Sequence, residues 1–466
     1  MSKRKHVTTR SKGAPHMTTT THKHATGTRP TRKRLGVFFV LWILVLLNYI
    51  DRSTLSIALP FMSKDMHIPP EMQGWILSLF FWTYLIFQIP GGWLLDKFGP
   101  RRVVGAAGAL WGLLQAGIGL LTSGIGLGVA RLGLGAFEAP TAPSGSKLNS
   151  SWLPEKERAR GATFIDMAGA FGSAVGGVLV TTIIGVFGSW RWAFVVTGLM
   201  TVVLSVVYYL YVRDTPEEHP GVNRDELDHI RSTGVESPAE DTNAVPSVVN
   251  ESAPLPRLAD YARSRSWWGF WLGRLGWATV WWGIISWTPS YLSDARGFDL
   301  MSVGGATFFV FGMGVVGQLV AGALADWGRA RFHNYNHVMK TILVGSGLAM
   351  VATVFLIPVV PNAAVCLVML ALAVFFTNFG GLYWAVPAWL APAAQVGKVG
   401  SVMNMASSLG GALAPVIMGY AIAAAGGSYS GAFIFLVAAA ALYMLGSAAI
   451  DFKRPLATRR KKAITR

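Results

Sequence analysis

Charge is scarce in this chain. Of its 466 residues only 14% are Asp, Glu, Lys or Arg, while 52% are hydrophobic; a soluble protein carries about a quarter charged residues. Cysteine is nearly absent. Cys366 stands alone, which excludes an intrachain disulfide and a multi-cysteine metal cage. It lies in the apolar run Ala-Val-Cys-Leu-Val and reads as an inert packed thiol. No Gly-x-x-x-x-Gly-Lys-Ser/Thr loop occurs, so ATP is not the expected driving force. The first 34 residues contain no apolar stretch of the kind a cleavable signal needs, and read instead as a disordered polar tail. Their His6, His16, His22 and His24 are too loosely placed to count as a metal site. The apolar runs hold no histidine and no nucleophile–base set, so no enzyme activity, cofactor or metal is expected.

What the chain has in quantity is glycine, 53 residues, and tryptophan, 18, with a mean hydropathy of +0.44. Glycine lets helices approach closely within a bilayer, and tryptophan favours its edge. The expected partner is therefore the lipid bilayer. Spans of about 20 mostly apolar residues fall near 35–60, 71–95, 102–121, 124–147, 161–186 and 190–212. A second set falls near 267–292, 301–325, 338–359, 363–388, 399–424 and 431–452. The fold class read from this is an all-α membrane protein of twelve transmembrane helices in two pseudo-symmetric six-helix bundles. Its parts are a tail (1–34), an N-terminal bundle (35–212), a polar cytoplasmic linker (213–266), a C-terminal bundle (267–452) and a basic tail (453–466).

The formal charge of +17 does not point to nucleic acid, because the positives are segregated. With the N-terminus inside, the tails and alternate loops hold 34 of the 40 Lys and Arg residues. The opposite loops hold Lys64, Arg191 and Arg296, and Arg52, Arg131 and Arg274 fall inside spans. Both termini are thus expected to be cytoplasmic. The halves also echo each other. Gly92 and Asp96, followed by Arg101 and Arg102, recur 230 residues later as Gly322 and Asp326, followed by Arg329; Gln88 recurs as Gln318. Asp166-Met-Ala-Gly-Ala-Phe-Gly matches Asn404-Met-Ala-Ser-Ser-Leu-Gly. Such repeats build transporters whose two bundles rock about a central site.

A charge at mid-bilayer costs several kcal/mol or more, so it must face a cavity or a partner. Asp51 and Arg52 lie in span one, with Asn48 on the face of Arg52. Arg131 and Glu138 lie seven residues apart on one face of span four. These charges admit two readings, a self-balancing structural network, or arginines that bind a carboxylate while an acid takes a proton. Arginine suits the second because its planar fork grips carboxylates bidentately. After span two, Gly92 permits close contact and Asp96 can latch onto the neighbouring bundle, so Gly92, Asp96, Arg101, Arg102, Asp326 and Arg329 are candidates for gating. In the tryptophan-dense span seven, Trp277 and Trp281 could stack on a solute or simply pack, and Arg274 is close enough to the cytoplasmic edge to snorkel, with no site role expected.

The Gly92-Trp-Leu-Leu-Asp96-Lys-Phe-Gly-Pro-Arg101-Arg102 segment resembles the signature loop of the major facilitator superfamily. Asn48-Tyr49-Ile-Asp51-Arg52, Gln88-Ile-Pro-Gly-Gly92 and Arg131-Leu-Gly-Leu-Gly-Ala-Phe-Glu138 resemble its anion:cation symporter family, as does Trp152-Leu-Pro-Glu-Lys-Glu-Arg158. The likeness runs from residue 35 to about 450 and is more specific in the first half. It implies a multi-pass protein of the bacterial inner membrane, expected to be a monomer, that carries a small-molecule organic anion with a proton. The alternative is an anion exchanger or uniporter without proton coupling. By the same resemblance Asp51 and Glu138 are the proton-coupling residues. Tyr49, Arg52, Tyr84, Gln88, Arg131, Trp384 and Asn404 are the substrate-binding ones. One departure stands out. Many sugar-acid carriers of the family place glutamine where this chain has Gly169, and asparagine is common where it has Asp166. Loss of that amide favours a less hydroxylated cargo, an aromatic or aliphatic acid.

Overall fold

The computed structural model describes residues 30–231, 256–332, 334–392 and 395–456. The histidine-bearing tail, the middle of the linker and the last ten residues, on which some of the expectations above fall, lie outside the described residues. Helix α1 (Lys33–Met66) is followed by α2 (Pro70–Ile118), α3 (Gly124–Glu138), α4 (Thr141–Trp152), α5 (Glu155–Phe187) and α6 (Trp190–Tyr211). Two short linker helices, α7 (Arg224–Arg231) and α8 (Leu258–Ala262), precede α9 (Arg265–Ser290), α10 (Leu300–Arg331), α11 (Tyr335–Val359) and α12 (Ala363–Thr377). The chain ends in α13 (Val386–Leu390), α14 (Val396–Ala424) and α15 (Ser430–Ala449).

Nine helices among the described residues are long and apolar enough to cross a membrane by length and composition. Gly99, with φ of +81°, divides α2 into two of the expected spans. Glycine is required there because the left-handed region is open to it, and because the Asp214 carboxylate occupies the space a Cβ would take. The fourth span is α3 with α4, interrupted at Ala139–Pro140; proline lacks the amide proton that would continue the ladder. The seventh is α9, whose tryptophans, Arg265 and Arg274 dilute its apolar average. The tenth is α12, a 3-10 segment over Asn378–Ala385 and α13. Twelve crossings result.

Helices α1 to α6 pack together as one bundle and α9 to α15 as the other. The bundles meet chiefly where α2 lies along α14 and α5 along α10. Small residues make the first seam tight: a Cβ on Gly74 would meet the Pro415 carbonyl at 2.6 Å, and Ser78 Oγ donates to the Ala412 carbonyl. A Cβ on Gly177 of α5 would likewise meet the Gly304 carbonyl of α10 at 2.9 Å. Both contacts lie toward the end of the molecule remote from the linker. Toward the linker end the bundles separate, and Asp166, Trp384, Ser401 and Met405 are exposed on the walls of the resulting cleft.

The described part of the linker is folded against the first bundle. Glu226 of α7 is buried beneath the start of α1 and accepts from the amides of Lys33 and Arg34, each at 3.1 Å. A carboxylate there satisfies orphan amides and opposes the positive end of the helix. Arg34 continues the network to Glu157 at 3.1 Å, which also meets His229 at 3.2 Å.

Candidate substrate site in the inter-bundle cleft

Consecutive residues of an α-helix lie about 100° apart around its axis, so Asp51 and Arg52 cannot face the same way. They do not. Arg52 turns toward α3, where its Nη2 and Nε stand 3.1 and 3.3 Å from Glu138 Oε2. Asn48, one turn earlier on α1, donates to the same oxygen. Glu138 is the last residue of α3, set at that position by the Pro140 break. All three side chains are buried. The guanidinium of Arg52 also lies 4.5 Å from the Phe80 ring, 5.2 Å from Tyr49, 5.3 Å from Tyr84 and 5.2 Å from Trp282 of the opposite bundle. An aromatic enclosure stabilises a cation by its ring quadrupoles and keeps water from it.

Asp51 turns the other way, into its own bundle. Its Oδ2 accepts from Trp111 Nε1 at 2.9 Å and from Thr201 Oγ1 at 3.0 Å, and its Oδ1 is buried with no hydrogen-bond partner. The acid and base adjacent in sequence therefore belong to different environments. Arg131 differs again. It is buried, with its guanidinium 4.8 Å from the Phe80 ring, and its Nε has no partner. Among the described residues no carboxylate lies within 4.0 Å of it. A small cavity opens beside it, lined by Arg52, Arg131, Phe81, Trp282, Ser56 and Ser286. A buried arginine with unsatisfied donors facing a cavity is costly unless an anion completes it.

The cleft's linker-ward part holds a second set. Arg274 is not a snorkelling residue: it lies nine residues inside α9, about 14 Å along the axis, and is buried. Its Nε donates to Ser407 Oγ at 2.7 Å, and its guanidinium lies 3.8 Å from the Trp277 ring and 5.1 Å from Trp384. Opposite, Asp166 Oδ2 accepts from Gln318 across the bundles at 2.7 Å. Trp277 and Trp281 stack on each other at 6.1 Å, and Trp281 packs edge-on against Phe311. Gly169 proves to be a matter of space as well as chemistry. A Cβ there would meet Tyr49 Cζ at 2.9 Å, so the tyrosine ring stands where a longer side chain would go. Tyr84 and Gln88 share a face of α2, Tyr84 stacking on Phe80 at 5.5 Å and Gln88 Nε2 buried without a partner. Asn404 is half-buried on α14, one turn before Ser408.

Among the described residues, Asp96 makes no salt bridge to the opposite bundle. Asp96 is exposed and pairs with Lys147 of its own bundle at 2.9 Å. Arg101 lies over Tyr209 and donates to its carbonyl at 2.8 Å, and Arg102 is exposed. Gly92 has open space around it, Asp326 is exposed, and Arg329 lies 5.9 Å from the Trp389 ring. The separation of the bundles at the linker end accounts for this, since a latch needs both sides within reach.

Residues 41–415 match the family model of the Major Facilitator Superfamily. The chain belongs to the major facilitator superfamily. It is a multi-pass membrane protein of a transporter family, not an enzyme. Its similarity to a probable galactarate/D-glucarate transporter, GudP, of Escherichia coli (strain K12) is 30% identity over 87% of this chain and 90% of that one. A D-galactonate transporter of Escherichia coli is 28% identical over 88% of this chain and 94% of its own. A probable sulfoacetate transporter, SauU, of Cupriavidus necator is 29% identical over 92% and 95%. Among solved structures, a bacterial homolog of the human lysosomal transporter Spinster superposes with a TM-score of 0.70 at 18% identity, covering 91% of this chain and 98% of that one. A D-xylose-proton symporter superposes at 0.65 with 14% identity, over 89% and 96%.

Proposed function

We propose that this protein carries an organic anion across the membrane together with protons, by alternating access of the bundles 35–212 and 267–452 about the cleft. The bundles are joined by 213–266 and flanked by the tails 1–34 and 453–466. The observation that carries the reading is Arg131, buried and with no carboxylate within 4.0 Å among the described residues, beside the Arg52–Glu138 pair at a cavity. Two of the relatives are named for sugar acids and one for a sulfonated acid, so all three names describe anions. With the positive loops inside, the linker end faces the cytoplasm of a bacterial inner membrane. The transporter works as a monomer.

The geometry suggests how the two ions are linked. While Glu138 is ionised it occupies Arg52. Protonation of Glu138 removes the charge that holds this guanidinium, and Arg52 with Arg131 then grips the incoming carboxylate. Asp51, set apart in the bundle interior with one unpartnered oxygen, is the second proton carrier. Tyr49, Tyr84, Gln88, Trp384 and Asn404 line the path of the cargo. Rocking the bundles would close the linker end, bringing the Gly92–Arg102 and Asp326–Arg329 segments within reach of the facing bundle.

The test is uptake of labelled organic acids by proteoliposomes under an imposed proton gradient. Arg52→Ala or Arg131→Ala should abolish uptake, and Asp51→Asn should leave exchange but remove accumulation. Accumulation that persists unchanged with a protonophore present would sink the symport reading.

A further inference from the structure

Three arginines are buried along the cleft, and the function proposed above uses two of them. Arg274 remains. Its charge needs an explanation, because an uncompensated buried cation is expensive and usually functional inside a membrane. Among the described residues no carboxylate lies within 4.0 Å of it, and its hydrogen bonds go to Ser407 and, at 3.4 Å, to the Gly380 carbonyl. Among the described residues, Asp166 on the facing bundle is an acid within electrostatic reach, and Gln318 holds that carboxylate. The arginine is thus balanced at a distance but not coordinated.

Its position can be measured along α9. Trp282, which lies 5.2 Å from the Arg52 guanidinium, is eight residues from Arg274, a rise of about 12 Å. The surfaces between are flat and apolar: Tyr49 stacks on Trp282 at 6.0 Å, and Trp277 and Trp384 flank Arg274. Three of the amides that could read hydroxyl groups are already engaged, which leaves Gln88 and Asn404. Asn48 is bound to Glu138, Gln318 to Asp166 and Asn378 to the Val374 carbonyl. Gly169 supplies no amide, and Tyr49 fills its space.

Resting on the proposed function, we infer that Arg274 is a second anion subsite, so that the cargo is a dianion whose acidic groups are gripped by Arg52 with Arg131 at one end and Arg274 at the other, with a flat apolar body between them. A benzene ring bearing two opposed carboxylates is the simplest rigid cargo of this kind. Each bundle then holds one end of the cargo. A bound dianion couples the bundles through itself, which a monoanion held by one bundle does not.

The experiment is binding of terephthalate, benzoate and galactarate to the purified full-length protein in detergent, read by calorimetry and thermal shift. Wild type should bind terephthalate at least about tenfold more tightly than benzoate, the worth of one charge-assisted contact, and more tightly than galactarate. In Arg274→Gln the terephthalate-to-benzoate ratio should fall to within about twofold, and Arg274→Lys should restore part of it. Equal binding of terephthalate and benzoate by wild type, or a ratio unchanged in Arg274→Gln, would overturn the second subsite. Preference for galactarate would overturn the apolar body. The wild-type comparison decides even where a variant fails to fold. If no carboxylate binds, the proposed function falls as well; if acids bind regardless of their charge number, only this inference falls.

Discussion

Asp51 and Arg52 show how little adjacency in a chain means inside a helix bundle. One contributes its carboxylate to Trp111 and Thr201, the other its guanidinium to Glu138 and four aromatic rings. Their identities mark a functional span, but the helical turn decides which partner each meets. Gly169 makes the same point in reverse. Read from the chain it is a missing amide; in three dimensions it is the clearance for Tyr49. Gly169→Ala should therefore lower the melting temperature, because the new methyl group forces Tyr49 aside at a cost of about 1–3 kcal/mol. Adding Tyr49→Ala to the same chain should recover part of the loss. A Gly169→Ala protein that melts like wild type would show that the ring has room to move.

At the scale of elements, breaks matter more than regular turns. Pro140 ends α3 immediately after Glu138, and Gly99 turns one long helix into two crossings. Glu138 was readable as an intramembrane acid but not as the end of a broken helix, and the Asp214 carboxylate packed against Gly99 was not readable at all. The linker is the other case. Its polar composition marks it as lying outside the apolar spans, yet residues 213–231 pack closely, with Glu226 under α1 and the Arg34–Glu157–His229 chain beside it. Burial opposes ionisation of Glu157, but the hydrogen bonds and charges of Arg34 and His229 outweigh it, holding this carboxyl below its ordinary value. A depressed folded value means the network stabilises the fold fully above the unfolded value of about 4.3. The contribution is lost as pH falls through the lower, folded value. Wild type should thus melt above Glu157→Gln near neutrality, and the gap should close as the solution is acidified below pH 4. A gap that stays constant across that window would show that Glu157 acts by packing alone.

At the scale of the molecule, the two seams α2–α14 and α5–α10 are closed away from the linker, and the cleft is open toward it. Cys366, buried and the only cysteine of the chain, makes this directly observable. Met405→Cys should react with a membrane-impermeant maleimide applied from the linker side, while Ser78→Cys, in the closed seam, should stay unlabelled. Equal labelling of both positions would contradict the closed seam. A cargo held by both bundles should suppress labelling at 405, since it draws the walls together.

The apolar periodicity, the placement of lysine and arginine and the repeated glycine–aspartate loops already specify a twelve-helix membrane fold. They do so because each acts locally: a helix satisfies its own backbone, and a bilayer selects its length. The intramembrane charges Asp51, Arg52, Arg131 and Glu138 were legible for the same reason, each being costly wherever it sits. What only the tertiary structure decided is pairing. It joined Glu138 to Arg52, left Arg131 with no carboxylate in salt-bridge contact among the described residues, and moved Arg274 from the membrane edge to the cleft. Pairing depends on which helices lie side by side and how each is rotated, and one-dimensional spacing does not carry that rotation from one helix to the next.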